Sequence, residues 1–500
     1  MSTPRRRLNS AVAVGKLLLL ALIPTIISDI ISRRRPTKLH ATSYLDGLRG
    51  LAALSVFSYH YSDYNHKFIL PFYGHNDANN IHDGPSSLMQ LPYVRLLYSG
   101  TPMVHIFFII SGFALSLRPL QQLYNPDSPS RGPSPDSIAK SQALLASSAF
   151  RRPIRLFIPP LFVTALSAIV VYVFGWMPSF MKPEPTLFGQ ITNWFSDAVN
   201  KIMWAWAWDD QSPVSRYNPH LWTIPLEFTH SMFLFLVLSI LSRLRSPHTR
   251  QHFLAGLMVY CLLIGRWAAF EFLAGALLAE LHLSTHFDVT NSTTRLPTTK
   301  CSKRLQIPSA LRSTFQLVVL LAAGYLLSWP PRKADMVPSF EAIQSFTPGT
   351  YDGDKRKNFW MAIAAFGTVW SCGRIRLVKV VLTSPLPQYA GRISFCLYIF
   401  QHLVLNLLQH HVLGSEYKPA TEKGPEVPAW GVRGTFGISS PSQRTLTWFA
   451  GLIILGGVLV ILADLFTRIL DGPAVRMSKR LEALAFASEE TGQSTNEMGK

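Results

Sequence analysis

Long apolar runs alternate with shorter polar segments along most of the 500-residue chain. The apolar runs are 13 to 22 residues long and carry few charged residues. A helix needs about 20 apolar residues, with a range near 17–25, to cross the hydrocarbon core of a bilayer. The pattern therefore predicts an all-α protein, a polytopic transmembrane helical bundle of about ten spans. The predicted spans are 45–61, 102–117, 155–176, 221–242, 252–264, 267–281, 314–329, 359–373, 388–408 and 446–467.

The pair 252–264 and 267–281 is the least secure part of this count, because its 30 residues are many for one helix and few for two. With ten spans and the residues before Tyr44 in the cytosol, the cytosolic segments hold 25 Lys and Arg in 104 residues. The opposite loops hold 15 in 151. Cytosolic segments of membrane proteins carry such an excess of positive residues. One helix over 252–281 would reverse every later loop, so the charge pattern favours two.

One glycosylation sequon argues against this topology. Asn291-Ser292-Thr293 fits the acceptor pattern, and the ten-span arrangement places it in the cytosol. A three-residue pattern arises often by chance, so the charge asymmetry has the greater weight.

The two ends of the chain differ from its middle. Residues 1–43 form a basic segment with an apolar helix over 8–31, flanked by arginines. This helix either lies in the membrane interface, which the flanking charges favour, or adds an eleventh span. We expect one transmembrane domain over 44–470. The remaining residues, 471–500, are predicted to be a polar, disordered tail.

Composition excludes several classes of protein. Hydrophobic residues make up 48% and charged residues 15% of the chain, below the roughly 25% charged residues of soluble proteins. Mean hydropathy is +0.20. A disordered chain, a disulfide-rich secreted scaffold and an ordinary cytosolic enzyme are thereby excluded. The four cysteines form no CxxC pair, so we predict neither a zinc site nor a disulfide framework, and no metal.

The formal net charge of +19 does not indicate a nucleic-acid partner. The basic residues occur in short clusters between apolar runs, as retention of positive loops in the cytosol requires. We therefore expect contact with the lipid bilayer and none with nucleic acid.

Ionisable residues within apolar spans are functional candidates, because a charge in hydrocarbon costs several kcal/mol. Arg49 and His60 lie eleven residues apart in the first span. At about 100° per residue they share one helix face, about 16 Å apart along the axis. The face either lines a water-filled or ligand-filled interior, or the two residues reach opposite interfaces. Their spacing leaves both interpretations open.

Three arginines, Arg151, Arg152 and Arg155, crowd the cytosolic end of the third span. They either retain this loop in the cytosol or clamp phosphates, since guanidinium groups suit phosphate oxygens. Arg152 and Arg155 are one turn apart and could share a ligand.

Polar residues in other spans also allow both a structural and a functional interpretation. Ser111 with Gly112 indicates close helix packing in the second span more than catalysis, because small residues let helices approach. In the fourth span, Glu227 needs a partner, and Arg49 or His60 are the natural candidates. Trp222 alone would be an aromatic-belt residue.

The ninth span carries a polar stripe over one turn. Tyr398 shares a face with Gln401 at i, i+3 and with His402 at i, i+4. His402 by itself is as much a packing residue as a catalytic one. It forms no convincing metal-binding group with the later histidines, because acidic residues at ligand spacing are lacking.

These segments, in this order, resemble the acyltransferase 3 family of integral membrane acyltransferases, and within it the branch found in filamentous fungi. The resemblance extends from about residue 44 to 470, and six motifs in order are specific for the family. They are YLDGLRGLAALSVFSYH, FFIISGFALSLRPL, FRRPIRLFIPP, HLWTIPLEF, FLAGALLAEL and LPQYAGRISFCLYIFQH.

The resemblance implies transfer of an acyl group, commonly acetyl, from acyl-CoA to a hydroxyl group. The family's Arg-x10-His motif maps onto Arg49 and His60. Its arginines after the second span map onto Arg151, Arg152 and Arg155, and its Trp-x4-Glu onto Trp222 and Glu227. The family's Tyr-x2-His in the ninth span departs here: Gln401 stands in place of the histidine, and His402 lies about 100° further round the helix.

These matches assign expected roles. His60 is the expected base, Arg49 stabilises negative charge or holds CoA, and Glu227 orients His60 or pairs with Arg49. The CoA phosphates are expected at the arginines. The predicted substrate-binding residues are Trp222, Ser111, Tyr398 and Gln401.

The expected partners are acyl-CoA, as a co-substrate and not a permanently bound cofactor, and a hydroxylated small-molecule acceptor. The loops are short, and we expect no attached carbohydrate-binding domain. We therefore expect a lipophilic acceptor, such as a polyketide or terpenoid secondary metabolite, and an endoplasmic reticulum or other endomembrane location. The alternative is a membrane transporter of an anionic or amphiphilic small molecule. A transporter would more often show two related halves, and the sequence shows no such symmetry.

Overall fold

The computed structural model describes residues 24–27, 39–75, 86–124, 132–175, 183–208, 213–294, 308–414, 431–438 and 440–486. Within these ranges the regular elements are all helical, so the predicted all-α class is confirmed. The longer helices are α1 (Ser43–Asn65), α2 (Gly100–Gln121), α3 (Pro135–Phe174), α4 (Leu187–Asp197), α5 (Thr223–Leu241), α6 (Pro247–Leu263), α7 (Trp267–Thr294), α8 (Ser309–Leu327), α9 (Pro338–Ser345), α10 (Arg356–Cys372), α11 (Arg376–Leu382), α12 (Pro385–Leu413), α13 (Gly431–Phe436), α14 (Pro441–Phe466) and α15 (Gly472–Phe486).

Short helical turns connect or extend these helices. They are 3-10 turns at Lys67–Ile69, Leu88–Gln90, Val94–Tyr98, Pro219–Trp222, Ala334–Met336 and Gly353–Lys355, and π-helical turns at Ala198–Ile202 and Thr467–Asp471.

A helix occupies each of the ten predicted spans, but not every helix is long and apolar enough to cross a membrane. Within the described residues, six segments are long and apolar enough to cross. Helices α10 and α11 meet at a 93° bend, and they add a seventh segment if together they are one broken span. A polytopic helical bundle is therefore supported, whereas the count of ten spans stays a prediction. The six segments are Gly100–Gln121, Pro135–Phe174, Pro219–Leu241, Ala310–Leu327, Pro385–Leu413 and Pro441–Phe486.

The stretch over 252–281 is two helices, as the charge pattern predicted. The chain turns between α6 and α7 at Gly265, whose φ of +84° is a backbone conformation that glycine adopts without strain. The two helices are antiparallel, since the Nε of Arg250, near the start of α6, lies 2.8 Å from Glu280 in α7.

Helices α1 and α12 pack in parallel and very closely. A Cβ on Gly50 would overlap the backbone of Gly391. At the other end of the same pair, Asn65 donates a hydrogen bond to the Gln409 side-chain oxygen at 2.9 Å. These helices contain the first and ninth predicted spans, which run in the same direction in the ten-span topology.

Helices α2 and α7 also pack in parallel. His105 bonds to Glu271 near one end of the pair, and the Tyr124 hydroxyl donates to Glu280 at 2.9 Å at the other end. They contain the second and sixth predicted spans, which also share a direction in the ten-span topology.

Loops predicted to lie on the non-cytosolic side contact one another. Arg332, after α8, lies 3.2 Å from Asp63, at the end of α1. Arg266, in the turn after α6, donates to the Trp208 carbonyl at 3.1 Å. Two pairs of the loops that the charge asymmetry groups together are thus adjacent.

The interface between α2 and α7 depends on small residues. A Cβ on Gly112 would overlap the backbone of Phe272, and a Cβ on Gly275 would overlap the backbone of Ile109. The close helix packing expected at Gly112 is therefore confirmed.

The chain ends are described only in part. Of the apolar segment 8–31, residues 24–27 form a helical turn, in which the Thr25 hydroxyl donates to Asp464 at 2.6 Å; the rest lies outside the described residues. The region predicted as a disordered tail is helical over Gly472–Phe486. Its helix packs on α3, where the rings of Phe150 and Phe486 are 5.5 Å apart. Contacts with α3 thus order a segment whose polar composition predicted disorder. Residues 487–500 lie outside the described ranges.

Gly275→Ala should destabilise the bundle by about 1–3 kcal/mol, because the added methyl group requires α2 and α7 to separate. Thermal unfolding of the purified protein in detergent measures the effect, with a lower midpoint expected. Gly256→Ala in α6 is the matched control, since a Cβ there would meet no atom within 4 Å. Equal midpoints for the Gly275 variant and the wild type would contradict this packing.

Candidate functional site

Three histidines from separate elements meet inside the bundle. The ring of His60, in α1, stacks on that of His220, with centroids 3.5 Å apart and planes 16° apart. His402, in α12, meets the same His220 ring edge-on at 4.9 Å. Among the described residues, neither these three nor any other group of His, Cys, Asp and Glu has the arrangement to hold a metal ion. The grouping is a set of proton-accepting and hydrogen-bonding rings.

His220 is a residue that the sequence reasoning missed. It lies in the Pro219–Trp222 turn, just ahead of the predicted fourth span, and is the first residue of the motif HLWTIPLEF. The available signal was its position: a histidine two residues before the motif residue Trp222, at the start of an apolar run. Only the packing of this turn against α1 and α12 brings it to His60.

The turn that carries His220 is fixed by bonds to α12. The Asn218 side-chain oxygen accepts from the His220 backbone N–H at 3.2 Å, and the Asn218 amide donates to the Ile399 carbonyl at 3.0 Å. The Tyr398 hydroxyl donates to the His220 carbonyl and lies 2.7 Å from the Thr223 hydroxyl. Tyr398, predicted to bind substrate, therefore holds the histidine cluster in place.

Three further polar residues of α12, His402, Asn406 and Gln401, are buried. His402 lies against His220, and Asn406 donates to the His402 carbonyl at 2.8 Å. Gln401 is fully buried, and its amide nitrogen and oxygen both lack a hydrogen-bond partner in the described part of the chain. Buried amides almost always have partners, so Gln401 is suited to a ligand.

Glu227 is the centre of a second group of polar residues. Its Oε1 accepts from Arg152 at 2.7 Å and from the Ser111 hydroxyl at 3.1 Å. The Arg152 Nε also donates to the Ser231 hydroxyl, one turn along α5, at 3.1 Å. Three helices, α2, α3 and α5, are joined by these bonds.

The expectation that Glu227 pairs with Arg49 or His60 was wrong. Helices α3 and α5 run antiparallel, with Gln142 bonded to Ser242 near the other end of α5. This register brings Arg152, and not a residue of α1, to the level of Glu227.

The three arginines of α3 do not converge on one point. Arg152 is directed to Glu227, whereas the Nε of Arg151 lies 3.1 Å from Glu482 in α15. Arg155 is exposed and has no hydrogen bond or ion pair within the described structure. Successive residues of a helix point about 100° apart, which separates Arg151 from Arg152. A ligand shared by Arg152 and Arg155 would have to compete with Glu227.

Arg49 lies at the opposite end of α1 from His60. Its Nη2 is 3.1 Å from Asp46 and donates to the Gly391 carbonyl at 3.0 Å, while its buried Nε has no hydrogen-bond partner among the described residues. Asp471 lies in the electrostatic field of both Arg155 and Arg49. Trp222 is partly buried and packs against the hydrophobic core.

The candidate residues thus extend along the bundle. Arg49 lies about 16 Å along α1 from His60, and Glu227 lies about 10 Å along the chain direction of α5 from His220. Arg155 follows Arg152 by one turn of α3, in the direction of the histidines, because α3 is antiparallel to α5.

Comparison with known proteins places this arrangement among the acyltransferases. A family model described as an acyltransferase domain matches residues 42–468. The O-acetyltransferase PaAT-1 of Phomopsis amygdali is 32% identical over 398 residues, which cover 75% of each chain. Acyltransferase R4 of a Phoma species is 26% identical over 506 residues, covering 92% of this chain and 100% of the relative.

Acyltransferase clz18 of Cochliobolus lunatus is 25% identical over 411 residues, covering 73% of this chain and 82% of the relative. No solved structure matches the chain. The six motifs, the helical bundle and the match over most of the chain lead to one conclusion: this protein belongs to the acyltransferase 3 family.

Proposed function

We propose that this protein is a membrane-bound O-acyltransferase that moves an acetyl group from acetyl-CoA to a hydroxyl group of a small lipophilic acceptor. The observation that carries the proposal is the position of His60 in the histidine cluster inside the bundle of an acyltransferase-family chain. The acetyl group is favoured because the relative PaAT-1 is named an O-acetyltransferase.

The chemistry needs a base and stabilisation of negative charge, since a thioester is already activated. His60 accepts the proton of the acceptor hydroxyl as the hydroxyl oxygen attacks the thioester carbonyl carbon. The tetrahedral intermediate collapses, the carbon–sulfur bond breaks, and the CoA thiolate takes the proton from the His60 imidazolium. The products are the acetyl ester and CoA, and His60 returns to its initial state.

The nucleotide end of CoA is assigned to Arg155, which is exposed, and to Arg49, which acts together with Arg155 on Asp471. In the ten-span topology that we propose, the end of α1 that carries Arg49 faces the cytosol. The distance along α1 from Arg49 to His60, about 16 Å, suits the extended pantetheine arm of acyl-CoA. Glu227 and Arg152 hold three helices together beside this path.

The acceptor is proposed to be an apolar or amphiphilic alcohol, such as a polyketide or terpenoid secondary metabolite, which can reach the site through the bilayer. The location is proposed to be the endoplasmic reticulum or another endomembrane.

His60→Ala should lower acetyl transfer by about 10²- to 10⁴-fold, because the base is lost. Membranes that contain the variant are supplied with acetyl-CoA and a pool of hydroxylated lipophilic compounds, and release of CoA is measured. His248→Ala, at an exposed position at the start of α6, is the matched control and should keep wild-type activity. Full activity of the His60 variant would remove His60 as the base.

Arg155→Ala should raise the KM for acetyl-CoA about tenfold with little change in kcat, since a charge-assisted hydrogen bond to phosphate contributes about 1.5–3 kcal/mol. The exposed Arg243→Ala, just after α5, is the control. An unchanged KM in the Arg155 variant would leave this arginine as a topology signal only.

Arg152→Ala should instead reduce the amount of folded protein, because it leaves the Glu227 carboxylate without its ion-pair partner.

A further inference from the structure

The His220 imidazole has no role in the mechanism above, although it is in face contact with His60. We propose that His220 is a second catalytic residue: its Nδ1–H donates a hydrogen bond to the carbonyl oxygen of the acyl thioester as negative charge develops there. The inference rests on the proposed acyl transfer and adds the group that stabilises its transition state.

One contact of the His220 ring bears on the position of its hydrogen. Its Nε2 lies 3.5 Å from the Tyr64 hydroxyl. We take the Tyr64 hydroxyl as the donor to Nε2 in this contact. A neutral imidazole that accepts at Nε2 carries its hydrogen at Nδ1.

This Nδ1 is a buried donor that lacks an acceptor. His220 is 5% exposed, and its Nδ1 has no hydrogen-bond partner among the described residues. Leaving a buried polar group unpaired costs free energy, and such orphaned groups in a native fold call for an explanation. An oxygen of a bound ligand would satisfy the donor, and the reacting carbonyl is the oxygen that gains charge.

The donor is held in place before the substrate binds. Asn218 fixes the backbone N–H of His220, and Tyr398 fixes its carbonyl. Donors that are fixed in advance stabilise developing charge without the cost of reorientation during the reaction.

The stacking with His60 brings the base and the donor next to each other. The ring centroids are 3.5 Å apart and the planes nearly parallel. In the tetrahedral intermediate, the oxygen from the acceptor and the former carbonyl oxygen are bonded to the same carbon. The base and the hydrogen-bond donor that act on these two oxygens must therefore lie side by side, as the two rings do.

The proposed step transfers no proton from His220. During attack the carbonyl electron pair moves onto its oxygen, which accepts the hydrogen bond from Nδ1. On collapse the pair returns to form the ester carbonyl, the carbon–sulfur bond breaks, and the thiolate is protonated by His60 as before.

Two substitutions at His220 separate donation from the other roles of the ring. His220→Phe keeps a stacking ring without an N–H donor, and His220→Gln keeps an N–H donor but provides no base. Membranes with acetyl-CoA and a pool of sterols, terpenoid alcohols and phenols are assayed for CoA release across a range of pH. The Phe variant should lose about 10²- to 10³-fold in kcat with little change in the KM for acetyl-CoA.

The Gln variant should have a kcat within tenfold of that of the wild type and should keep the wild-type pH profile. His66→Phe is the matched control: this histidine is equally buried, bonds to the Tyr61 hydroxyl at 2.8 Å, and lies outside the site. It should keep the turnover per folded molecule of the wild type.

The outcomes are distinct. Wild-type turnover in the Phe variant, or equal losses in the Phe and Gln variants, would overturn donation by His220. A shifted pH profile in the Gln variant would make His220 the base and would also overturn it. A wild-type protein that releases no CoA would instead overturn the proposed acyl transfer itself.

Discussion

The close parallel packing of α1 against α12 is the constraint on which the arrangement of the site depends. Gly50 and Gly391 let the two backbones touch, and Arg49 donates across the contact to the Gly391 carbonyl. Because the register is fixed at this end, His60 is brought to the level of His402 and Tyr398 two to three turns along. Tyr398 in turn holds the Pro219–Trp222 turn, and so His220, against His60.

A buried ion pair and a buried histidine–carboxyl pair fix the positions of the other helices. Arg250 and Glu280, both almost wholly inaccessible, join α6 to α7, and His105 with Glu271 joins α2 to α7. In a low-dielectric interior, the cost of burying such charges is offset only by good geometry, and removal of one partner leaves an uncompensated charge. These pairs specify the register of the bundle, whereas apolar contacts alone would allow helices to slide.

The sequence predicts well what depends on one helix at a time. The 3.6-residue period placed Arg49 and His60 on one face, and the charge of the loops separated α6 from α7. Features that depend on packing between helices could not be predicted from the sequence. The partner of Glu227 follows from the antiparallel register of α3 and α5, which no local pattern in either segment reveals. His220 was missed because it precedes its span, and the helix over 472–486 because its order comes from contact with α3.

The central claim is that the histidine cluster transfers an acyl group, and a labelled-product measurement tests it most directly. Purified protein in lipid vesicles is given radiolabelled acetyl-CoA and a set of lipophilic alcohols, and label is sought in ester products extracted into organic solvent. The account predicts labelled ester in amounts equal to the CoA released, with little from His60→Ala vesicles. Movement of an alcohol or an anion across the vesicle membrane, with no labelled ester from any alcohol, would contradict it and support a transporter.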